Sequence, residues 1–262
     1  MKERIDKILV EKGLADTRQK ARALIMAGLV FAGDRRIEKA GTRLAPDADI
    51  RIKETMPFVG RGGLKLRHAL AEFRLDVTGI TAADLGSSTG GFTDCLLQNG
   101  AKKVFAVDVD PRQFDWGLSR DARVVLIKKN ARYLEKSDFS EPVDLVTVDL
   151  SFISLLKVLP AVRRILDQGD VLPLVKPQFE VGRSQVGKKG VVKDPKLHSD
   201  ALLRVAAGAA DQGYRIHGII PSPILGQKGN REFFLHLSLG RTQEAEFSME
   251  DRIKEVVGYE GN

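Results

Sequence analysis

Cysteine is almost missing from this chain of 262 residues. The single thiol, Cys95, can build neither a disulfide framework nor a zinc cluster, and a reducing compartment fits. No apolar run approaches the roughly 18 residues that a membrane-spanning helix needs. The charged stretch from Met1 to Lys12 lacks the apolar core of a secretion signal. A cytoplasmic protein without a membrane span is therefore expected. Internal repeats and low-complexity tracts are absent, and so is the Gly-x-Gly-x-x-Gly of dinucleotide enzymes.

Charge is present and unevenly spread. The net charge is +7, from 42 Lys and Arg against 35 Asp and Glu. Residues 1–53 hold 13 basic and 8 acidic residues, so most of the excess sits in the first fifth of the chain. Such an imbalance favours a polyanionic partner. In the same stretch Ile5, Ile8 and Leu9, then Ala21, Leu24 and Ile25, recur at helical spacing. Leu29-Val30-Phe31 and Asp49-Ile50-Arg51-Ile52 alternate as strands do, with Gly28 and Gly33-Asp34 as turns. Arg4, Lys7, Arg18, Lys20, Arg22, Arg35 and Arg36 could then line one basic surface. Lys53 to Pro57 reads as a linker, because Pro57 disfavours helix at Met56. The expected domains are residues 1–55 and 56–262.

The larger part is organised around Asp84-Leu85-Gly86-Ser87-Ser88-Thr89-Gly90-Gly91-Phe92, between the apolar run Gly79 to Ala83 and a helical Phe92 to Asn99. Strand, glycine turn and helix in that order let a ligand approach bare backbone and the first amides of the helix. With an acidic residue before the first glycine and no second close approach for a pyrophosphate, the turn suits S-adenosylmethionine better than a dinucleotide. The next apolar strand, Lys103 to Asp110, brings Asp108 22 residues beyond Gly86. That is the spacing of a carboxylate that accepts both hydroxyls of an adenosine ribose.

Strands expected over Arg123–Ile127, Val143–Asp149 and Val171–Lys176 alternate with helices over Leu155–Leu166 and Asp200–Ala210. Alternation of this kind means a parallel sheet with crossover helices. Strands near Arg215–Ile220 and Glu232–Leu239 close it, and a last helix covers Met249–Val257. Asp149 and Lys176 end neighbouring strands, and Glu232 opens the last strand, which reaches the same edge if it runs antiparallel. Lys65 stands near a helix start, where a lysine opposes the dipole. Two lysines and two carboxylates around one rim form a charge-consistent catalytic set.

The small-domain runs Arg4 to Val10 and Thr17 to Val30 resemble the RNA-binding domain named after the fourth small-subunit ribosomal protein. The motifs Arg61-Gly62-Gly63-Leu64-Lys65-Leu66, Gly86 to Asp94, Asp149-Leu150-Ser151-Phe152-Ile153-Ser154 and Leu174 to Glu180 resemble the TlyA family over essentially the whole chain. These are FtsJ-related ribosomal RNA 2′-O-methyltransferases, often labelled haemolysins. The resemblance implies a Rossmann-like methyltransferase domain behind an α+β RNA-binding domain, S-adenosylmethionine as cofactor, and methylation of cytidine ribose in 16S or 23S rRNA or in ribosomal subunits. By that resemblance Lys65, Asp149, Lys176 and Glu232 are catalytic. Asp84, Gly86, Ser88, Thr89, Gly90, Gly91, Phe92, Asp108 and Asn130 would hold the cofactor, and Arg61, Lys188 and Lys189 would join the small-domain arginines and lysines on RNA. Gly60 stands where a serine is common, and Val109-Asp110-Pro111 replaces a glycine- and tyrosine-rich stretch. A monomer without a metal is expected.

The residues also speak against other methylations. Pyrimidine C5 transfer needs a cysteine nucleophile, and Cys95 belongs to the helix behind the turn. Exocyclic nitrogen transfer commonly uses Asp/Asn-Pro-Pro-aromatic, where this chain reads Asp149-Leu150-Ser151-Phe152. The rival readings are an RNA-binding protein with an inactive methyltransferase domain and a haemolysin.

Overall fold

The computed structural model describes residues 2–26, 28–53, 56–187, 189–240 and 248–258. The chain divides into two compact units, Met1–Met56 and Pro57–Asn262.

The first unit contains β1 (Glu3–Arg4), α1 (Ile5–Glu11), α2 (Arg18–Met26), β2 (Val30–Ala32), β3 (Arg35–Arg36), β4 (Arg43–Leu44) and β5 (Ile50–Ile52). Ile5, Ile8, Leu9, Ala21 and Ile25 from the helices pack with Val30, Ile37 and Ile50, while Leu24 is half-buried at the margin. Each fully buried aliphatic side chain contributes roughly 1.5–3 kcal/mol, which is how so small a unit holds together without a disulfide. β2 lies between β3 and β5, antiparallel to both, and β1 pairs with β4. The two-residue strands β1, β3 and β4 are too short to show any alternation, and sequence reading passes over them.

The second unit runs α3 (Gly62–Glu72), β6 (Thr81–Leu85), α4 (Gly91–Gln98), β7 (Lys103–Asp108), α5 (Trp116–Ser119), β8 (Val124–Lys128), β9 (Leu145–Val148), α6 (Leu159–Ile165), β10 (Gly169–Val175), α7 (Pro177–Glu180), α8 (Pro195–Asp211), β11 (Arg215–Pro221), β12 (Phe233–Leu239) and α9 (Met249–Gly258). Its seven strands lie in the order β11-β12-β10-β9-β6-β7-β8. The five from β8 to β10 are parallel, and β12 is antiparallel to both β10 and β11. From β6 the chain moves outward through β7 and β8, then returns to β9 on the other side of β6. Ligands bind at such a switch point, beyond the carboxyl ends of the strands.

β6, β9, β10 and β12 are buried throughout, as strands covered on both faces must be. Leu66, Leu70, Phe92 and Leu96 of α3 and α4 cover one face; Leu159, Val162, Leu202, Val205, Ile253 and Val256 of α6, α8 and α9 cover the other. This is the expected Rossmann-like sheet. One expected helix divides: Leu155–Lys157 is a 3-10 turn, and α6 starts only at Leu159. Pro160, in the first turn of α6, has no amide to donate backward, so the earlier turn cannot continue into it. The last helix is a packed element, since Arg231 donates to the carbonyls of Val256 (2.9 Å) and Val257 (2.6 Å).

Candidate active site

Gly86 follows β6 with φ +90°, and a Cβ there would come within 2.6 Å of the Asp149 carbonyl oxygen. Only glycine lets the ends of β6 and β9 approach this closely. The Asp149 amide in turn donates to the Leu85 carbonyl at 2.9 Å, which fixes the Asp149 segment beside the turn. Asp108, at the end of β7, ties the turn from the other side. Its Oδ2 accepts the Ser88 amide and its Oδ1 accepts the Asp110 amide, both at 2.9 Å. An ionised carboxylate has about four acceptor positions, so about two remain for a ligand's hydroxyls.

The other expected cofactor residues divide by depth. Asp84 is fully buried, and Thr93 Oγ1 (2.8 Å) and Thr147 Oγ1 (3.1 Å) donate to its carboxyl group. Burial pushes that carboxyl up to about 7, against the lowering effect of the two hydroxyls. Asp84 thus braces the floor of the turn from inside. Phe92 belongs to the core, stacked on Phe234 with ring centroids 6.0 Å apart, and Gly91 packs against the backbone of Gly60, Gly62 and Gly63. Ser88 and Thr89 are exposed on the turn. Gly90 caps α4. At Gly60 a Cβ would meet Thr89 Oγ1 at 2.8 Å, so the glycine found there matches its threonine neighbour.

A cavity of about 750 Å³ opens beside the turn, lined by Asp108, Val109, Asn130, Ala131, Leu150 and Phe152 among others. Its size is that of a small-molecule site. Asn130 lines it from the segment after β8, with its side chain accepting the Arg132 amide at 3.1 Å. Ser87 Oγ in the turn and Gln178 Oε1 in the cavity wall are buried without a hydrogen-bond partner among the described residues. Spare acceptors on Asp108 and the orphaned polar atoms of Ser87 and Gln178 fit S-adenosylmethionine.

The four expected catalytic residues form two ion pairs. Lys176, directly after β10, sets Nζ 2.6 Å from Asp149 Oδ1, directly after β9, and donates to Ser151 Oγ at 3.1 Å. Lys65 reaches from α3 to Glu232 Oε2 at 2.5 Å. Because Val175 pairs with Phe233, the antiparallel register carries Lys176 and Glu232 to adjacent positions at the same edge. Lys65, Lys176 and Glu232 are buried, where an unpaired charge would be costly, and the set is neutral overall. Gly226 lies so close over Glu232 that a Cβ would overlap its carboxylate.

Residues 58–239 match the FtsJ-like methyltransferase family, and residues 3–50 match the S4 domain. The 16S/23S rRNA (cytidine-2′-O)-methyltransferase TlyA of Mycobacterium tuberculosis is 44% identical over 92% of this chain and 90% of its own length. YqxC of Bacillus subtilis, labelled an rRNA methyltransferase, is 48% identical over 98% of this chain and 93% of its own length. The chain belongs to the TlyA family of FtsJ-like methyltransferases. A solved Streptococcus thermophilus chain labelled a haemolysin superposes with a TM-score of 0.73 at 42% identity, covering 97% of this chain and 95% of that one. Enzyme class and cofactor follow: the protein is a methyltransferase, and S-adenosylmethionine is its methyl donor. Among the described residues no helix is long and apolar enough to cross a membrane.

In the S4 domain six of the seven expected RNA-binding residues sit in ion pairs. Arg4, Arg18 and Arg22 converge on Asp6, at 3.0, 2.9 and 3.2 Å, and Asp6 is fully buried. Hydrogen bonding from Arg4 first, then Arg18 and Arg22, holds the Asp6 carboxyl well below the usual carboxylate range against its burial. Each arginine keeps about half its side chain exposed, so Asp6 fixes three guanidinium groups that still face water. Lys7 pairs with Glu3, Lys20 with Asp16 and Arg36 with Glu38, while Arg35 is exposed on β3. Arg61, in the methyltransferase unit, donates to the Leu225 carbonyl at 2.9 Å. Lys189 lines a second cavity, and Lys188 lies outside the described residues.

Sequence reading missed three residues of the TlyA site. Ser151 bridges to Lys176, and only its place two residues after Asp149 could have signalled it. Phe152 is 87% exposed with φ +65°, a left-handed conformation that is strained for an aromatic residue, and it leans on Phe179 at 5.1 Å. Glu180 is buried and accepts Ser154 Oγ (2.7 Å) and the Leu155 amide (2.8 Å), clasping the Asp149–Leu155 loop to the segment after Lys176. Cys95 is buried, and burial pushes its thiol up to about 12, which removes it as a nucleophile.

Proposed function

We propose that the protein methylates the ribose 2′-hydroxyl of a cytidine in ribosomal RNA, working in the cytoplasm as a monomer on 16S or 23S rRNA or on the subunits that contain them. The observation that carries this reading is Lys176 Nζ held between Asp149 Oδ1 and Ser151 Oγ, with the Lys65–Glu232 pair at the adjoining strand edge. S-adenosylmethionine supplies the methyl group as a sulfonium electrophile. What the chain must add is alignment of the acceptor oxygen and removal of its proton.

Lys176 is assigned to the 2′-hydroxyl proton: its amine, having first given a proton to solvent, takes that proton as the ribose oxygen bonds to the methyl carbon and the methyl–sulfur bond breaks to release S-adenosylhomocysteine, with Asp149 and Ser151 orienting Nζ and the Lys65–Glu232 pair fixing the neighbouring edge. The glycine turn, Asp108 and Asn130 are assigned to the cofactor. Phe152 and Phe179, at the wall of the cavity, offer an apolar face to a base that has left its stack. The S4 domain, with its arginines set around Asp6, is assigned to phosphate contacts.

Incubation with ribosomal subunits and tritiated S-adenosylmethionine tests the reading. Label is expected on a 2′-O-methylcytidine of one subunit's rRNA. RNA binding without transfer would instead support the inactive-domain reading, and lysis of erythrocytes without transfer the haemolysin one.

A further inference from the structure

A second cavity of about 820 Å³ lies apart from the cofactor pocket, between residues 185–187 and 189–194, loop 225–231 and the first turns of α8. Lys189, Lys193 and Lys228 line it, all exposed, and none pairs with a carboxylate among the described residues. The acidic residue in the wall, Asp194, is engaged as the cap of α8, accepting the Lys196 amide at 2.9 Å. Arg231, also in the wall, is turned to the carbonyls of α9. Three like charges around one hollow raise the local potential and repel one another until an anion enters.

The two loops are fastened together. Asn230 is buried; its Oδ1 accepts the Val192 amide (3.1 Å), its Nδ2 donates to the Gly190 carbonyl (2.9 Å), and its own carbonyl accepts the Gly226 amide (2.8 Å). Lys228 is held at φ +59°, a costly backbone for a lysine unless its surroundings demand it. A Cβ on Gly190 would lie 3.7 Å from Lys228 Nζ, so the ammonium of one loop already rests on the other. Two residues past Asn230 stands Glu232, bonded to Lys65. The loop backbone that carries the lysines is therefore already fastened beside the segment that leads into Glu232, and binding has only the lysine side chains left to order.

We propose that this cavity is a phosphate subsite, in which Lys189, Lys193 and Lys228 grip the backbone of the substrate RNA next to the nucleotide that is methylated. The proposal rests on the RNA reading above. It separates affinity from chemistry, because none of the three lysines belongs to the two catalytic pairs.

The test compares the full-length triple variant Lys189→Gln/Lys193→Gln/Lys228→Gln with the triple Lys102→Gln/Lys136→Gln/Lys254→Gln. The second set removes the same charge from lysines paired with Glu141, Asp167 and Asp251. Binding of wild type and both variants to rRNA is measured over a salt series, together with single-turnover methylation at saturating RNA. Each lost phosphate contact lowers the slope of log K against log salt by about 0.7 to 0.9. The cavity triple is expected to lose about two units of slope and roughly tenfold or more in affinity, with saturated methyl transfer and S-adenosylmethionine affinity within twofold. The control triple should keep most of both. Equal losses in the two triples, or none in the cavity triple, would overturn the subsite. Wild-type protein that neither binds nor methylates rRNA would overturn the proposed substrate, and the subsite with it.

Discussion

Asp108→Ala is the sharpest test of the cofactor assignment, because the structure gives that carboxylate two separable duties. Two of its acceptor positions hold the Ser88 and Asp110 amides, and the remaining two are free for ribose hydroxyls. A hydrogen bond to a charged group contributes about 1.5–3 kcal/mol. The bonds to a ribose are lost outright in the alanine variant, and the turn is loosened as well, so a loss of about 2–4 kcal/mol is expected. That is roughly a 30- to 1000-fold weaker Kd for S-adenosylmethionine. Asp108→Asn keeps one acceptor oxygen and should fall between the two. Titration calorimetry on the intact chain measures all three. A Kd for the alanine variant within twofold of wild type would refute both the ribose contact and the argument from free lone pairs.

Lys176→Ala should lose about 10²-fold or more in single-turnover transfer while cofactor and RNA affinities stay within a few-fold, the usual scale for losing a general base; near-normal transfer would remove this lysine from the mechanism. Deleting residues 1–56 should lower the slope of log K against log salt for rRNA by close to one unit per lost phosphate contact, and an unchanged slope and affinity would show that the S4 domain is not the anchor. Asp84 carries a pH signature. Burial raises its folded carboxyl to about 7, whereas an unfolded aspartate titrates near 3.9, so the folded state holds the extra proton between those values. Its contribution to stability is therefore full below about pH 4 and declines as pH rises to about 7. Melting of the intact chain should show Asp84→Asn gaining on wild type, on the order of a few kcal/mol, from pH 5 to pH 8; a constant difference would mean that Asp84 is already ionised at pH 5.

The sheet was legible because its buried strands read as apolar runs and its punctuation is glycine and proline. The turn at Gly86 was legible for a physical reason that the structure displays: the Asp149 carbonyl leaves no room for a side chain. Lys65, Asp149, Lys176 and Glu232 could be named because each sits at an element end, where a buried charge has few explanations. Which lysine pairs with which acid could not be read. The pairing depends on the register Val175↔Phe233 and on how far α3 leans toward β12, and neither has a local signal. Asp84 and Phe92 show the opposite limit. A motif position does not say whether a side chain faces the ligand or the core, and here both turn inward. Asp6 was invisible as an organiser, since a lone acid inside a basic helix reads as surface until its burial is known.

Charge is divided between the places that need it. Two lysines and two carboxylates suit a reaction in which a hydroxyl proton must leave, because with Lys176 as the neutral amine the set carries a single negative charge, and taking up the hydroxyl proton returns it to neutrality, so no large net charge is stranded in a buried site. Such a set attracts no polyanion, so affinity for RNA has to come from elsewhere. In the S4 domain it can come from three arginines around one buried aspartate, a patch with two positive charges in excess. In the methyltransferase unit it can come from unpaired lysines on the loops that lead into Glu232. Salt should then weaken binding strongly and leave the saturated rate of transfer nearly untouched, because screening acts on exposed charges far more than on pairs buried at the sheet edge.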